Sequence, residues 1–381
     1  MSEWRRVSLA EVVKLKRGFD LPETSRQFGT FPVVGSAGVS GWHNEGPVAG
    51  PGVTLGRSGA SIGVATYVDA RYWPLNTTLF VEDFRGNDPR FIYYLLRTID
   101  FNGFNSGSAQ PSLNRNYIAG ISIRLPEPIE QRLISGLLGA LDDKIAINER
   151  TSQTAAALAL AEGHRILSLS NGEEVALAEK AEIVKGVSYR SADLESGDNA
   201  LVTLKCVGRD GAFQSAGLKP YSGVYKDSQI VNRGDIIVAQ TDLTQRADVI
   251  GRAVRVMPLN SSGLLVASLD LIVVRPGPGL SREILFAILS TQEFRDHVLS
   301  YCNGTTVLHM GARALPEYRF RMPNEETVKV ATDIMAPLFE KSDSVKREID
   351  TLARLRDALL PGLMSGAIRI RDAEKFVEDA T

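Results

Sequence analysis

The chain has 381 residues, 44% hydrophobic and 23% charged, with 43 Lys and Arg against 45 Asp and Glu for a net charge of −2. This is the balance of a soluble globular protein with room for two domains, and it denies any global pull on nucleic acid, so such a surface would have to be local. The apolar runs are too short or too broken by charge for a membrane span, no charged-then-apolar leader opens the chain, and two cysteines, Cys206 and Cys302, make neither a disulfide framework nor a thiolate zinc site, which suits a reducing cytoplasm.

From the N-terminus, short β-branched runs read as strands: "GVTLG" at Gly52 to Gly56, "GVATYV" at Gly63 to Val68 and "TLFV" at Thr78 to Val81, bounded by Gly, Pro, Asn and Ser. A short helix is predicted from Pro89 to Arg97. A polar loop follows, then a last strand, "GISIRLP", closed by Pro126. Beyond it the period becomes helical. Ile134, Leu141, Asn148 and Ala155 recur every seven residues, joined by Leu138 and Ile145.

The same order then returns. Strands are predicted at "DIIVA", "RAVRV" and "LDLIVV", a helix from Ser281 to His297, and a last strand "EYRFRMP" ending at Pro323. A second heptad run has Leu338, Val345, Leu352 and Leu359, joined by Ile349 and Leu355. Aligned directly, "VSLAEVVKLKRG" (Val7 to Gly18) matches "VALAEKAEIVKG" (Val175 to Gly186) at an offset of 168. Later segments match at 183 (Gly52 with Asp235), 188 (Ile62 with Ile250), 193 (Phe91 with Ile284) and 197 (Gly107 with Gly304). The offset only rises. The order of elements is therefore preserved while loops lengthen, which chance coincidence of apolar residues would not produce.

Each heptad helix has one apolar stripe and needs a partner along it. The other copy's helix is the available one. The expected fold is therefore α+β: two tandem-repeated β-rich domains joined by two long helices paired as an antiparallel coiled coil. The seam residues are Ile134, Leu138, Leu141, Ile145, Asn148, Leu338, Val345, Ile349, Leu352 and Leu359. Asn148 on this seam would set register at some cost in stability, unless it is a solvated exception.

Signals of catalysis are weak. "GPGVTLGRSGASIG" fails as a phosphate loop, because Pro51 stands at the first glycine and Arg57 at the lysine; a turn between strands is the better reading. Asp142-Asp143-Lys144 echoes the acid-x-Lys of metal-dependent nucleases but lies inside the heptad run. His43, His164, His297 and His309 lack metal-ligand spacing. The chain reads as a non-enzyme, with no catalytic or metal-binding residues and no cofactor of its own.

What remains is polar loop chemistry on a repeated scaffold. The candidate DNA-contacting residues of the first copy are Ser36, Trp42, His43, Asn44, Arg57, Ser58, Asn76, Ser108, Gln110, Asn114 and Arg115. Those of the second are Tyr189, Arg190, Lys219, Tyr221, Gln240, Thr241, Gln245, Arg246, Thr305, His309 and Arg313. Arg, Asn, Gln, Ser and Thr are the types that read base edges, and Arg and Lys also hold phosphates. Unlike residues on a like frame are what two related readers of different short sequences would show.

Three stretches carry a family resemblance: "LDDKIAINERTSQT" (Leu141 to Thr154), "LRDALLPGLMSGAIRI" (Leu355 to Ile370), and "GWHNEGPVAGPGVTLGRSGASIGVATYV" with "WPLNTTLFV". The sequence resembles the specificity subunit of type I DNA restriction–modification systems over nearly its whole length. The resemblance implies two target-recognition domains, 1–127 and 171–325. Each is followed by a conserved spacer helix, 128–170 and 326–366, with a charged tail at 367–381. Each domain would read half of a bipartite, interrupted double-stranded DNA site from the major groove. The helices would dock two modification subunits, which carry S-adenosylmethionine and methylate adenine. A restriction subunit would bring ATP and Mg. The first helix departs from the family in ending "AEGHRILSLS" (Ala161 to Ser170), without an aromatic-rich run. The expectation is a helical ruler holding two recognition domains about one turn of DNA apart. The competing reading is a protein scaffold with two β-rich interaction domains on a helical rod.

Overall fold

The computed structural model describes residues 4–104, 112–244, 246–257 and 263–380. The first copy opens with β1 (Arg5–Ser8), the single-turn α1 (Leu9–Val12) and β2 (Lys14–Arg17). There follow β3 (Phe31–Gly35), β4 (Gly38–His43), β5 (Gly52–Gly56), β6 (Ala65–Val68), β7 (Trp73–Pro74), β8 (Thr78–Asp83), α2 (Pro89–Thr98), α3 (Arg115–Ile118) and β9 (Ser122–Leu125). Helix α4 then runs unbroken from Pro128–Ser168, 41 residues.

The second copy repeats this plan with β10 (Glu174–Ala176), α5 (Leu177–Lys180), β11 (Ala181–Lys185), β12 (Asn199–Val202), β13 (Lys219–Tyr221), β14 (Ile230–Val231), β15 (Ile236–Ala239), β16 (Thr241–Asp242), β17 (Ala253–Arg255), β18 (Leu265–Ala267) and β19 (Leu271–Pro276). After them come α6 (Arg282–Leu289), α7 (Gln292–Ser300), β20 (Cys302–Asn303), β21 (Leu308–Met310) and β22 (Arg319–Arg321). Helix α8 (Glu325–Ser365) is again 41 residues, and α9 (Ile370–Ala380) ends the described chain.

The duplication holds at the level of register. The central sheet of the first copy has strand order β2-β8-β5-β6, that of the second β11-β19-β15-β17. Leu55 faces Leu79 and Ala65; at the expected offsets Val238 faces Ile272 and Ala253. The parallel pair Val33↔Trp73 becomes Leu201↔Val266, and the closing pair Val7↔Ile123 becomes Val175↔Phe320. A one-residue slip would turn every core side chain outward, so shared register means a shared core. Gly63 and Gly251 mark the same tight turn. Each has φ near +80° (+82° and +73°), and a Cβ there would come within 2.9 Å of Phe101 or Val298.

One expectation changes, and one segment without an expected structure gains one. The helix foreseen from Ser281 to His297 is two helices. Ser290 closes α6, and Thr291 opens α7 by accepting a hydrogen bond from the Phe294 amide at 3.2 Å. The charged tail folds as α9, with Ala373 fully buried and Ile370 and Val377 packed on the first domain's core.

The chain divides into two compact units, 1–146 with 351–381, and 147–350. Each holds one β-rich domain and a segment of both long helices. In the first unit, Ile134, Leu138 and Leu141 share one core with Leu352 and Leu359, and Ile145 and Leu355 pack against it. Asp142 accepts from Arg356 Nη1 at 2.7 Å and from the Tyr94 hydroxyl at 2.5 Å. In the second, Ala159 and Ile166 share a core with Ala331, Met335 and Phe339, and Leu338 packs against it. Ser152 meets Ser342 at 2.9 Å, while Gly163 faces Met335. Residue numbers rise on one helix as they fall on the other, so the pairing is antiparallel. Val345, Ile349 and Asn148 are buried there too. The fold is thus α+β, two β-rich domains with two long antiparallel helices.

Candidate nucleic-acid interface

The polar residues of the first domain divide into three sets. Ser36, Arg57, Ser58 and Asn76 converge where β5, the β3–β4 turn and the loop before β8 end together. Ser36 Oγ donates to the Thr77 carbonyl at 2.5 Å and lies 3.2 Å from Ser58 Oγ. Arg57 reaches the Asn76 carbonyl and Ser112 Oγ, both at 3.3 Å, while the Asn76 amide donates to Asp20. Burial and the nearby Arg17 pull the Arg57 guanidinium below its ordinary value.

Trp42, His43 and Asn44 sit at the other end of β4. Trp42 is exposed, and the Asn44 amide donates to Gln27 Oε1 at 2.8 Å. His43 is buried, with Nδ1 accepting from the Gln27 amide at 2.9 Å and its ring edge-on to Trp73. It is part of the fold rather than of an open surface. Arg115 forms a third location, exposed on the rim of a cavity of about 280 Å³ shared with Lys14 and Arg85. Asn114 caps α3 through the Asn116 amide. Ser108 and Gln110 lie outside the described residues, as does Gln245.

In the second domain Gln240 and Thr241 stand 183 positions after Arg57 and Ser58, at the same end of the equivalent strand. Gln240 Nε2 donates to the Leu269 carbonyl, the counterpart of the Arg57–Asn76 contact. It also stands on the wall of a hollow of about 190 Å³ with Lys185. Thr241 is buried and donates to Asp270 Oδ1 at 2.9 Å. Tyr221 is buried as well, its hydroxyl bonded to the Val224 carbonyl at 3.1 Å. Those two side chains serve the fold. Tyr189 is half-buried, and burial pushes its phenol up. Arg190, Lys219, Arg246, Thr305, His309 and Arg313 are exposed, Arg313 beside Glu317 at 3.3 Å.

Sequence reasoning missed Ser112 and the loop-forming Asp242. Ser112 pairs with Ser58 as an isolated bridge, and its counterpart is the Thr241↔His309 pair of β16 and β21. The offset of 197 that aligns the surrounding segment would have identified it. Asp242 is buried and accepts from the Thr244 and Val249 amides at 2.9 and 2.7 Å, which shapes the loop carrying Arg246.

Asp142 and Asp143 of the acid-x-Lys echo are both held by neighbouring side chains. Asp143 is held bidentately by Arg90 at 2.9 and 2.6 Å, and Asp142 is engaged as described above. Among the described residues no three His, Cys, Asp or Glu side chains are grouped to hold a metal. No helix among them is long and apolar enough to cross a membrane.

Residues 1–156 match the family model described as the type I restriction modification DNA specificity domain. The chain is 23% identical over 359 residues to the type I restriction enzyme MjaIX specificity subunit of Methanocaldococcus jannaschii, covering 84% of this chain and 78% of that protein. It is 23% identical over 145 residues to the EcoprrI specificity subunit of Escherichia coli, covering 37% and 36%. A crystal structure of a type I restriction–modification S subunit from M. genitalium shares the fold, with a TM-score of 0.61 at 15% identity, over 94% of this chain and 96% of that one. Residues 1–156 thus match a type I specificity domain, and the chain over most of its length is similar to type I restriction–modification specificity subunits.

Proposed function

We propose that the chain is the DNA sequence-recognition subunit of a type I restriction–modification complex. Each β-rich domain reads one half of a bipartite, interrupted site on double-stranded DNA. The paired helices set the gap between half-sites and dock two modification subunits, with a restriction subunit as a further partner. The observation that carries this reading is a loop frame shared by the two domains, on which Arg57 and Gln240 reach the equivalent Asn76 and Leu269 carbonyls with side chains of unlike kind. A shared frame with unlike donors and acceptors suits two readers of different base sequences. S-adenosylmethionine, ATP and Mg chemistry belongs to the partners, and the work of this chain is positioning. The compartment is the cytoplasm, where the genome lies.

Genome-wide mapping of methylated adenine in the host, with and without this chain, tests the proposal. Loss of one bipartite, gapped set of methylated sites is expected on deletion. An unchanged map refutes the reading and favours the protein scaffold. A gel-shift against random duplex, with and without the co-purified methyltransferase, separates these two independently.

A further inference from the structure

The two loop frames agree in detail. The amide of residue 57 donates to the Thr77 carbonyl at 3.0 Å, and that of residue 240 to the Asp270 carbonyl at 2.9 Å. The Leu113 amide donates to the Arg57 carbonyl at 2.7 Å, and the Met310 amide to the Gln240 carbonyl at 2.9 Å. Gly63 and Gly251 close the preceding loops onto Gly56 and Ala239, both at 2.9 Å. These three bonds per copy, with the strand registers already given, place the backbone of 57 and 112 as that of 240 and 309.

The side chains on this common frame differ in hydrogen-bonding kind. Arg57 is a donor-only fork, with one nitrogen on the Asn76 carbonyl and another on Ser112 Oγ. Gln240 is an amide with one hydrogen on the Leu269 carbonyl, which leaves, among the described residues, an acceptor oxygen and a second donor hydrogen. His309, where the first copy has Ser112, is exposed. Both braced side chains are half-buried, so little rotamer freedom remains to be lost when a partner is engaged. A donor fork matches the two acceptors on the major-groove edge of guanine, and a donor–acceptor amide matches adenine.

We infer that Arg57 with Ser112, and Gln240 with His309, are the equivalent specificity-determining pairs of the two domains. The first selects a guanine and the second an adenine at the corresponding position of their half-sites. This rests on the DNA-reading proposed above, and makes Ser112 a contact-shaping residue.

The test is reciprocal exchange in the host, read by methylated-adenine mapping. Replacing the chain by one with Arg57→Gln and Ser112→His is expected to turn one guanine of the first half-site into adenine. The preference there should invert by about tenfold or more, with the second half-site untouched. Gln240→Arg with His309→Ser should do the opposite in the second half-site. Full methylation at unchanged sites, or relaxation spread over a half-site, overturns the inference. If one exchange abolishes methylation, the other decides. Loss in both directions shows that these side chains only hold the fold, and overturns it too. A map indifferent to deletion of the whole chain instead sinks the DNA-reading itself.

Discussion

Asp343, fully buried on α8, is gripped by Arg255 of β17 through two parallel hydrogen bonds of 2.7 and 2.9 Å. Arg233 Nε adds a third at 2.8 Å, and the Arg255 guanidinium lies over the Phe339 ring at 4.9 Å. This pins the second domain to its segment of α8. Removing Asp343 leaves the Arg255 guanidinium mostly buried and without its carboxylate. Asp343→Ala should therefore lower the urea-unfolding free energy by about 3–5 kcal/mol. Glu340 also meets Arg233, at 2.5 Å, but its side chain is 61% exposed. Glu340→Ala should cost at most about 1 kcal/mol, and equal losses for the two variants would contradict this assignment.

Asn148 is 4% exposed on the helix seam, and its Nδ2 has no hydrogen-bond partner among the described residues. A buried orphan donor destabilises. Asn148→Leu should raise stability by about 1–3 kcal/mol, whereas Leu141→Ala should lower it by about 2–5 kcal/mol. A destabilised Asn148→Leu chain would mean that the amide has a partner in solution.

Asp242 gives the pH dependence a sign. Burial pushes its carboxyl up, but hydrogen bonds from the Val249, Thr244 and Ile250 amides and the Thr244 hydroxyl outweigh burial and hold it below its ordinary value. A carboxylate so held stabilises the fold above the unfolded value, near about 4, and loses that contribution as pH falls through the folded one. Asp242→Asn should therefore be less stable at neutral pH, with the two curves converging in acid. Parallel urea midpoints from pH 7 down to acid would show that Asp242 does not titrate with unfolding.

Arg57 and Arg115 should respond differently to truncation. Arg57 is braced and half-buried, so Arg57→Ala should cost about 1–3 kcal/mol of binding and relax one base position. Arg115 is exposed on a rim shared with Lys14 and Arg85. Arg115→Ala should weaken all duplexes alike and lower the salt slope by about one. A sequence-dependent loss for Arg115→Ala would reverse these roles.

The helices invite a length test. Inserting one helical turn into both α4 and α8 should lengthen the unread gap in the methylated site and preserve both half-sites. Altered half-sites with an unchanged gap would refute the ruler.

The amino-acid order alone determined the duplication, the presence of two long helices and the seam from Ile134 to Leu359, because these depend on spacings of two, seven and a steadily rising offset within the chain. It also carried the family likeness and the choice of a turn over a phosphate loop at Gly52 to Ser61. Only the tertiary structure decided which polar side chains remain open. His43, Tyr221 and Thr241 share residue types with open neighbours but are buried by Gln27, Val224 and Asp270, up to 29 positions away. The break at Ser290-Thr291 and the burial of Ala373 likewise depend on what packs nearby. The repeat offset marks the position of Ser112, but its contact with Arg57, 55 positions earlier, is made by the fold. Periodicity is local and survives in one dimension; the fate of a single polar group is settled by neighbours that folding brings from elsewhere.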